Sequence, residues 1–375
     1  MATTNQTFVP LVAVHPTELI KDEMRERGLK RNELAKRMGM QLPNLSRLLN
    51  KKEAITSHIA HKLELALGID AEMWLNLQAA YDRDLALISE RDIQEKEYAS
   101  IENVLSSIIN VSLLFKQLAI DTYSFAQDRI KKLYSIFNVD STDALIALTA
   151  PTGQFKRSDR LATDDKNLST WVLLAHKECV TQTLAPTYSE GNAVAAAEAI
   201  AKKANMGEVT EASIEEVLNS YGIGYGYVQK IDKAPIDAYS TIINGIPYIV
   251  TSHRRNNMDM LVFDVLHELK HIHTDLQNGN SNLSCNGEYN RTDEKELAAD
   301  KFAEDMLISP DIWQKILKAK SRTLNPYHVF AAVIKEAKSN GISASIAAWR
   351  YKHETGCYAL ANTNPKIADN ARAFD

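Results

Sequence analysis

Two histidines four residues apart, with a glutamate directly after the first, constrain this chain more than any other feature: His267, Glu268 and His271. The spacing makes sense on a helix. There, residues i and i+4 project from one face, and residue i+1 is swung about 100° around the axis. Val265, Leu266, Leu269 and Ile272 supply apolar surroundings, so Asp259–Thr274 is predicted to be an amphipathic helix buried against a core. H-E-x-x-H is the pattern of two zinc ligands and a carboxylate that takes a proton from water. Such a zinc also needs a third protein ligand. Glu296 and Asp300, again four apart, lie on a second predicted helix, Thr292–Leu307.

That E-x-x-x-D spacing is how peptidases of the gluzincin type supply a third ligand and an acid that orients a ligating histidine. On this reading Glu296 binds the metal, with Glu294 as its rival, and Asp300 accepts the free imidazole N–H of a ligand. Ala298 and Ala299 would let the two helices approach closely. The alternative is a helix with two satisfied histidines and a surface glutamate. His273 lies on the other side of its helix and reads as exposed. His253, Arg254 and Arg255 follow a predicted strand and suit either a substrate carbonyl or solvent. Tyr327, His328 and His353 are candidate transition-state stabilisers. His58, His61 and His176 have ordinary helical settings. The sequence holds no G-x-S-x-G, no Walker A loop and no credible G-x-G-x-x-G.

Toward the other end, Leu29–Asn50 reads as two helices of about two turns joined at Gly39, where a left-handed residue is wanted. Leu34, Ala35 and Met38 follow helical spacing in the first. Leu45, Leu48 and Leu49 line the inner face of the second. This is the helix-turn-helix arrangement. Flanking helices are announced by His15-Pro16, by a Thr56 cap before Ile59–Leu67, and by an Asp70 cap before Trp74. Between Lys21 and Lys52 ten basic residues face four acidic ones, a local excess of six positive charges in a chain of net charge −5. Phosphate binding wants such a footprint. Gln41, Asn44, Ser46 and Arg47 occupy the exposed side of the second helix, and Arg31 opens the first. Asn and Gln can pair with adenine, and Arg with guanine. Lys51 and Lys52, at the helix end, suit phosphates. A small helical domain with a solvated basic face is the alternative.

A length of 375 residues suggests two or three domains. A hydrophobic share of 45% rules out wholesale disorder. Cys179, Cys285 and Cys357 are too few and too scattered for a disulfide framework or a zinc ribbon, and they fit a reducing cytosol. The segment MATTNQTF lacks signal-peptide character. The best apolar run, Ile108–Leu118, breaks at Lys116, so no membrane segment and a cytoplasmic location are expected. We divide the chain into a helix-turn-helix domain (13–88), a helical connector (89–204), a metallopeptidase-type domain (205–310) and its helical extension (311–375). The expected fold class is mainly α with a small α+β zincin-like domain. Ile223–Val228 and Thr241–Thr251 read as strands, with Asn244-Gly245 as a turn. Trp171–Leu184, Asn192–Ala204 and Ile214–Tyr221 read as helices. Residues 150–168 and 277–291 read as polar loops, and the end after Asn362 as a ragged tail.

The segments HPTELIKDEMRERGL, ELAKRMG, LSRLLN, ITSHIAHKLELALG and MWLNLQAAYD resemble the HigA-type antitoxin branch of the Cro/C1-like repressors. Lys30 and Gln41 depart from its usual small caps, and Arg31 from its usual Gln. From Glu211 to Pro310 the chain resembles the ImmA/IrrE family of metallopeptidase domains. Tyr221-Gly222-Ile223, the strand Ile246–Thr251, H-E-x-x-H and E-x-x-A-D-x-F-A ending in Leu307-Ile308-Ser309-Pro310 come in that order. Lys270 stands where many relatives have Gly. The resemblances imply one Zn2+ per chain on His267, His271 and Glu296, Glu268 as the catalytic carboxylate, and Asp300 behind a ligand. They imply a DNA-binding transcriptional regulator joined to a zinc metallo-endopeptidase that cleaves a repressor or regulator protein, this chain itself included. For the head they imply double-stranded operator DNA, a homodimer and a toxin partner. Two rival expectations stand beside this one. The first is a HigA-like antitoxin or repressor whose metal domain is sensory or structural. The second is a peptidase whose head binds protein.

Overall fold

The computed structural model describes residues 9–149, 163–184, 187–252, 254, 257–276, 281–284 (backbone only), 294–318 and 325–357. Most of the expected 150–168 loop, the tail beyond Asn362, and His253, Arg255 and Cys285 lie outside the described residues. The chain divides into two compact units, Met1–Ser100 with Phe125–Gln127, and Ile101–Ser124 with Asp128–Asp375. Among the described residues no single helix is long and apolar enough to cross a membrane.

In the first unit, α1 (Thr17–Glu26), α2 (Arg31–Arg37), α3 (Leu42–Leu49), α4 (Ser57–Leu67) and the start of α5 (Ala71–Ile108) enclose one core. Ile20, Leu34, Leu45, Leu48, Leu63 and Trp74 are fully buried in it. Each large apolar side chain so buried contributes about 1.5–3 kcal/mol. That outweighs two poor helix starts, because neither Lys30 nor Gln41 makes a side-chain cap. Thr56 and Asp70 do cap, accepting the N–H groups of Ile59 and Glu72. The α2–α3 turn depends on Gly39 at φ +54°. It lets Met40 N–H reach the Ala35 carbonyl at 2.9 Å while Gly39 N–H reaches Lys36 at 3.1 Å, a Schellman ending. Pro16 sits at the N-cap of α1, one residue ahead of its expected place, and His15 Nδ1 accepts the Thr17 N–H at 3.1 Å.

The change of unit falls inside α5, which runs unbroken to Ile108. After it come α6 (Val111–Gln117), α7 (Ala126–Phe137), α8 (Thr142–Ala147), α9 (Asp165–Val180), α10 (Asn192–Met206) and α11 (Glu211–Ser220). A four-stranded sheet follows: β1 (Gly224–Tyr227), β2 (Ala238–Ile243), β3 (Ile246–Thr251) and, later in the chain, β4 (Ser281–Ser284). The order is β1-β3-β2-β4, with β1 parallel to β3 and the other pairs antiparallel. Asn244 (φ +52°) and Gly245 (φ +79°) both adopt the left-handed conformation that a two-residue hairpin needs.

Two strand expectations are corrected. β2 begins at Ala238, three residues early. β4 lies within the stretch read as a polar loop. Its sequence, Ser-Asn-Leu-Ser, has no run of β-formers, and its pairing with β2 is a backbone matter, Ser240 opposite Asn282.

The central helix, α12 (Met258–Thr274), packs against β2, β3, α10 and α13 (Glu294–Leu307). It is buried over most of its length, with Phe263, Val265, Leu266, Leu269 and Ile272 inside the core. The close approach of α10 rests on small side chains, Ala193, Ala196, Ala197, Ala201 and Ala204. Ala299 and Ala303 are the buried small residues of α13. Ala298, expected at that contact, is exposed, because it lies about 200° around the helix from Glu296. The core is completed by α14 (Pro310–Lys318), α15 (Pro326–Ser339) and α16 (Ala344–Thr355). Buried Arg350 of α16 donates to the carbonyls of Glu304 and Ile308, which satisfies the end of α13. Trp171 of α9 stands edge-on to Tyr239 of β2 at 6.3 Å. The segment read as a connector therefore supplies α9 and α10 to the unit that holds the sheet.

Candidate metal centre and nucleic-acid interface

Helical spacing brings His267 and His271 onto one face of α12, and their Nε2 atoms lie 3.1 Å apart. Glu296 of α13 faces both, with Oε2 3.1 Å from His267 Nε2 and Oε1 3.5 Å from His271 Nε2. One ligand-type atom from each of the three lies within 4.8 Å of the others, so the group could hold a metal ion. Glu294, the rival, is exposed. The outward nitrogens are also engaged: His267 Nδ1 meets Asp300 Oδ1 at 2.9 Å, and His271 Nδ1 meets Asp275 Oδ2 at 2.9 Å.

The electrostatics follow from this packing. Burial alone would lower the pKa of His267, but the bonds to Asp300 and Glu296 prevail and raise it. Burial likewise pulls His271 down, and the bond to Glu296 with the charge of Glu268 more than offsets it, so it too is raised. Burial pushes Glu296 up, yet the two imidazoles hold it well below the usual carboxylate range.

Glu268 is fully buried beside the pair. Its Oε2 accepts the hydroxyl of Ser240 from β2. Its Oε1 has no hydrogen-bond partner among the described residues. An unpartnered carboxylate oxygen in a buried site calls for a bound polar group.

The other candidates are placed elsewhere. Lys270 leans onto α13, its ammonium 6.0 Å from the Phe302 ring centroid. His273, Tyr327 and His328 are exposed. His353 stacks on Trp349 at 5.1 Å and meets Glu304, two turns along α13 from Glu296. Arg254 is bound by Asp237 through two contacts of 2.8 Å rather than standing free. His58 and His61 are exposed, and His176 is held neutral-side by burial, with its pKa lowered. Sequence reasoning missed Asp275 and Ser240. Asp275 had a local signal, since it lies four residues past His271, at the C-cap of the same helix. Ser240 had none, because strand packing alone brings it to Glu268.

In the first unit, α3 turns Leu45, Leu48 and Leu49 inward, and leaves Gln41, Asn44 and Arg47 exposed. Ser46 is half-buried and accepts from Asn50. Several bases of the positive segment are already paired: Arg25 with Asp22, Arg27 with Glu23, Arg37 with Glu33, and both Lys21 and Lys51 with Glu18. Lys30, Arg31, Lys36, Arg47 and Lys52 make no salt bridge among the described residues. They are the cations left for an anionic partner. Lys51 also sits in the left-handed region at φ +61°.

Residues 20–74 match the Helix-turn-helix family model. Virulence-associated protein I of Dichelobacter nodosus is 33% identical over 75 residues, which cover 20% of this chain and 69% of that protein. The uncharacterized HTH-type transcriptional regulator YddM of Escherichia coli is 36% identical over 66 residues, 18% of this chain and 70% of that one. Among solved structures, an addiction module antidote protein of a HigA family from Coxiella burnetii is 33% identical, with 23% of this chain and 96% of that chain covered at a TM-score of 0.21. Through its head, the chain belongs to the helix-turn-helix family of the Cro and C1 type.

Proposed function

We propose that this DNA-binding regulator carries a zinc-dependent metallo-endopeptidase. The observation behind the reading is the convergence of three ligand-type atoms beside a buried carboxylate with one orphan oxygen. Two imidazole nitrogens and a carboxylate oxygen suit a borderline ion such as Zn2+. His267, His271 and Glu296 would hold it. When bound, the ion supplies Lewis acidity at a carbonyl and makes water a better proton donor.

The remaining work falls to the chain's own residues. Asp300 accepts the Nδ1–H of His267 and so reserves Nε2 for the ion. Ser240 holds Oε2 of Glu268. Oε1 of Glu268 takes the proton of the attacking water and returns it to the leaving amine. The apolar wall of α12 excludes bulk water and strengthens each of these interactions. A zincin-like fold for this unit belongs to the same proposal. The substrate is a repressor or regulator protein, this chain itself among the candidates.

For the head we propose operator recognition by Gln41, Asn44, Ser46 and Arg47 on α3, with Arg31, Lys51 and Lys52 on the backbone. A homodimer would read paired half-sites. A toxin partner follows from the HigA-type resemblance of the head. A second reading is an antitoxin or repressor whose metal group senses or stabilises. It is favoured by the family match, which covers residues 20–74 of the head.

Metal analysis of the full chain, purified without chelator, tests both. About one zinc per chain in the wild type, lost in Glu296→Ala, supports the metal site. Cleavage of a co-expressed repressor by the wild type and not by Glu268→Gln then selects peptidase over sensor. A wild type without metal rejects the peptidase.

A further inference from the structure

Asp275 sits where a helix end disfavours it. It is the residue after α12, and its own N–H closes the last turn onto the His271 carbonyl at 2.8 Å. The carboxylate thus lies at the negative end of the helix dipole, a placement that costs rather than gains. A helix end by itself would favour Gly, Asn or a base. What the acid obtains in exchange is His271: Oδ2 lies 2.9 Å from Nδ1 of that buried ring.

The pattern at the other ligand is the same. His267 is held at Nδ1 by Asp300, and both Nε2 atoms turn inward toward each other and Glu296. A carboxylate at Nδ1 requires the proton to be there, which leaves the lone pair on Nε2. The two holds differ in origin. Asp300 belongs to α13, whereas Asp275 is the C-cap of the helix that carries the histidine it orients.

We infer that Asp275 is a positioning residue of the metal site, fixing the His271 ring so that Nε2 faces a divalent cation. This rests on the reading that His267, His271 and Glu296 form that site. The hold is local to α12, so His271 is preset whether or not α13 is seated. Removing an acid that orients a ligating histidine lowers metal affinity by about 10–100-fold. Relief of the helix dipole offsets part of the stability lost with the bond to His271.

The test uses the full chain, stripped of metal and titrated with Zn2+ against a competing chelator, and with Co2+ followed by its visible spectrum. Asp275→Ala is expected to bind 10–100-fold more weakly, with an altered Co2+ band and a metal-free protein that still folds. Asp275→Asn keeps an oxygen acceptor for the Nδ1–H and is expected to recover most of the affinity. Should the Ala variant fail to fold, nitrogen NMR of histidine-labelled, zinc-loaded wild type gives the same answer through the Nδ1–H tautomer of His271. Equal affinity in Asp275→Ala, no recovery in Asp275→Asn, or the opposite tautomer overturns the role. A wild type that binds neither ion overturns the metal site itself, and this role with it.

Discussion

Ser240 ties one oxygen of Glu268 and leaves the other, equally buried, without a partner among the described residues. The hydroxyl comes from the strand β2 and the carboxylate from the helix α12, so the packing of strand on helix sets the aim of Glu268. Removing a buried donor costs about 1–3 kcal/mol, since the stranded acceptor is not returned to water. Ser240→Ala is expected to lower the unfolding free energy by that amount and to leave zinc stoichiometry unchanged. Urea denaturation and metal analysis of one preparation check both. Loss of zinc would instead put Ser240 among the ligands.

Lys270 occupies the slot between Leu269 and His271, yet its ammonium rests over Phe302. Lys270→Gly is expected to keep metal affinity within threefold of wild type. It should cost about 1 kcal/mol through the helix propensity of Gly. Chelator competition and thermal unfolding measure the two effects separately. A large change in affinity would mean that the ammonium acts on the ligands.

On α3, Asn44→Ala and Arg47→Ala are each expected to cost about 1–3 kcal/mol on the preferred operator and to relax choice at one position. Lys52→Ala should weaken all sequences evenly and reduce the salt slope by about one. Lys51→Ala should do less, because Glu18 already pairs with that lysine. Fluorescence anisotropy on an operator selected from random duplexes, at several salt concentrations, separates these cases. Salt-independent binding would sink the phosphate assignment.

His15 ties pH to the stability of the head. Burial, then the charge of Lys51, lowers its pKa in the folded chain. The unfolded chain therefore takes up the proton first. The stabilisation is complete above about pH 6.5, the unfolded value, and is lost as pH falls below it. The loss approaches about 1.4 kcal/mol per pH unit until the folded group titrates. Unfolding of wild type and His15→Gln at pH 7.5 and 5.5 should show the gap between them narrowing in acid. A gap independent of pH would mean that His15 charges without penalty.

What the sequence revealed was whatever repeats locally. His267, His271, Glu296 and Asp300 were legible because helical spacing alone places each pair on one face. Gly39 and Asn244-Gly245 were legible because left-handed backbone restricts the residue types that fit. Asp275 carried the same four-residue signal, but it falls one residue past the end of the predicted helix. Ser240 and β4 left no local trace, since both are defined by what lies opposite them across the sheet. Arg254 reads as a free cation in sequence and is committed to Asp237 in space.

Glu296 and Asp300 ride together on α13, so one movement of that helix would strip His267 of both these carboxylates. Linkage makes the reverse equally true. An ion that binds only the closed arrangement favours it by about 1.4 kcal/mol for each tenfold rise in free metal above the dissociation constant. The ion would then be a latch as much as a reagent, and its departure would report that α13 had come unfastened.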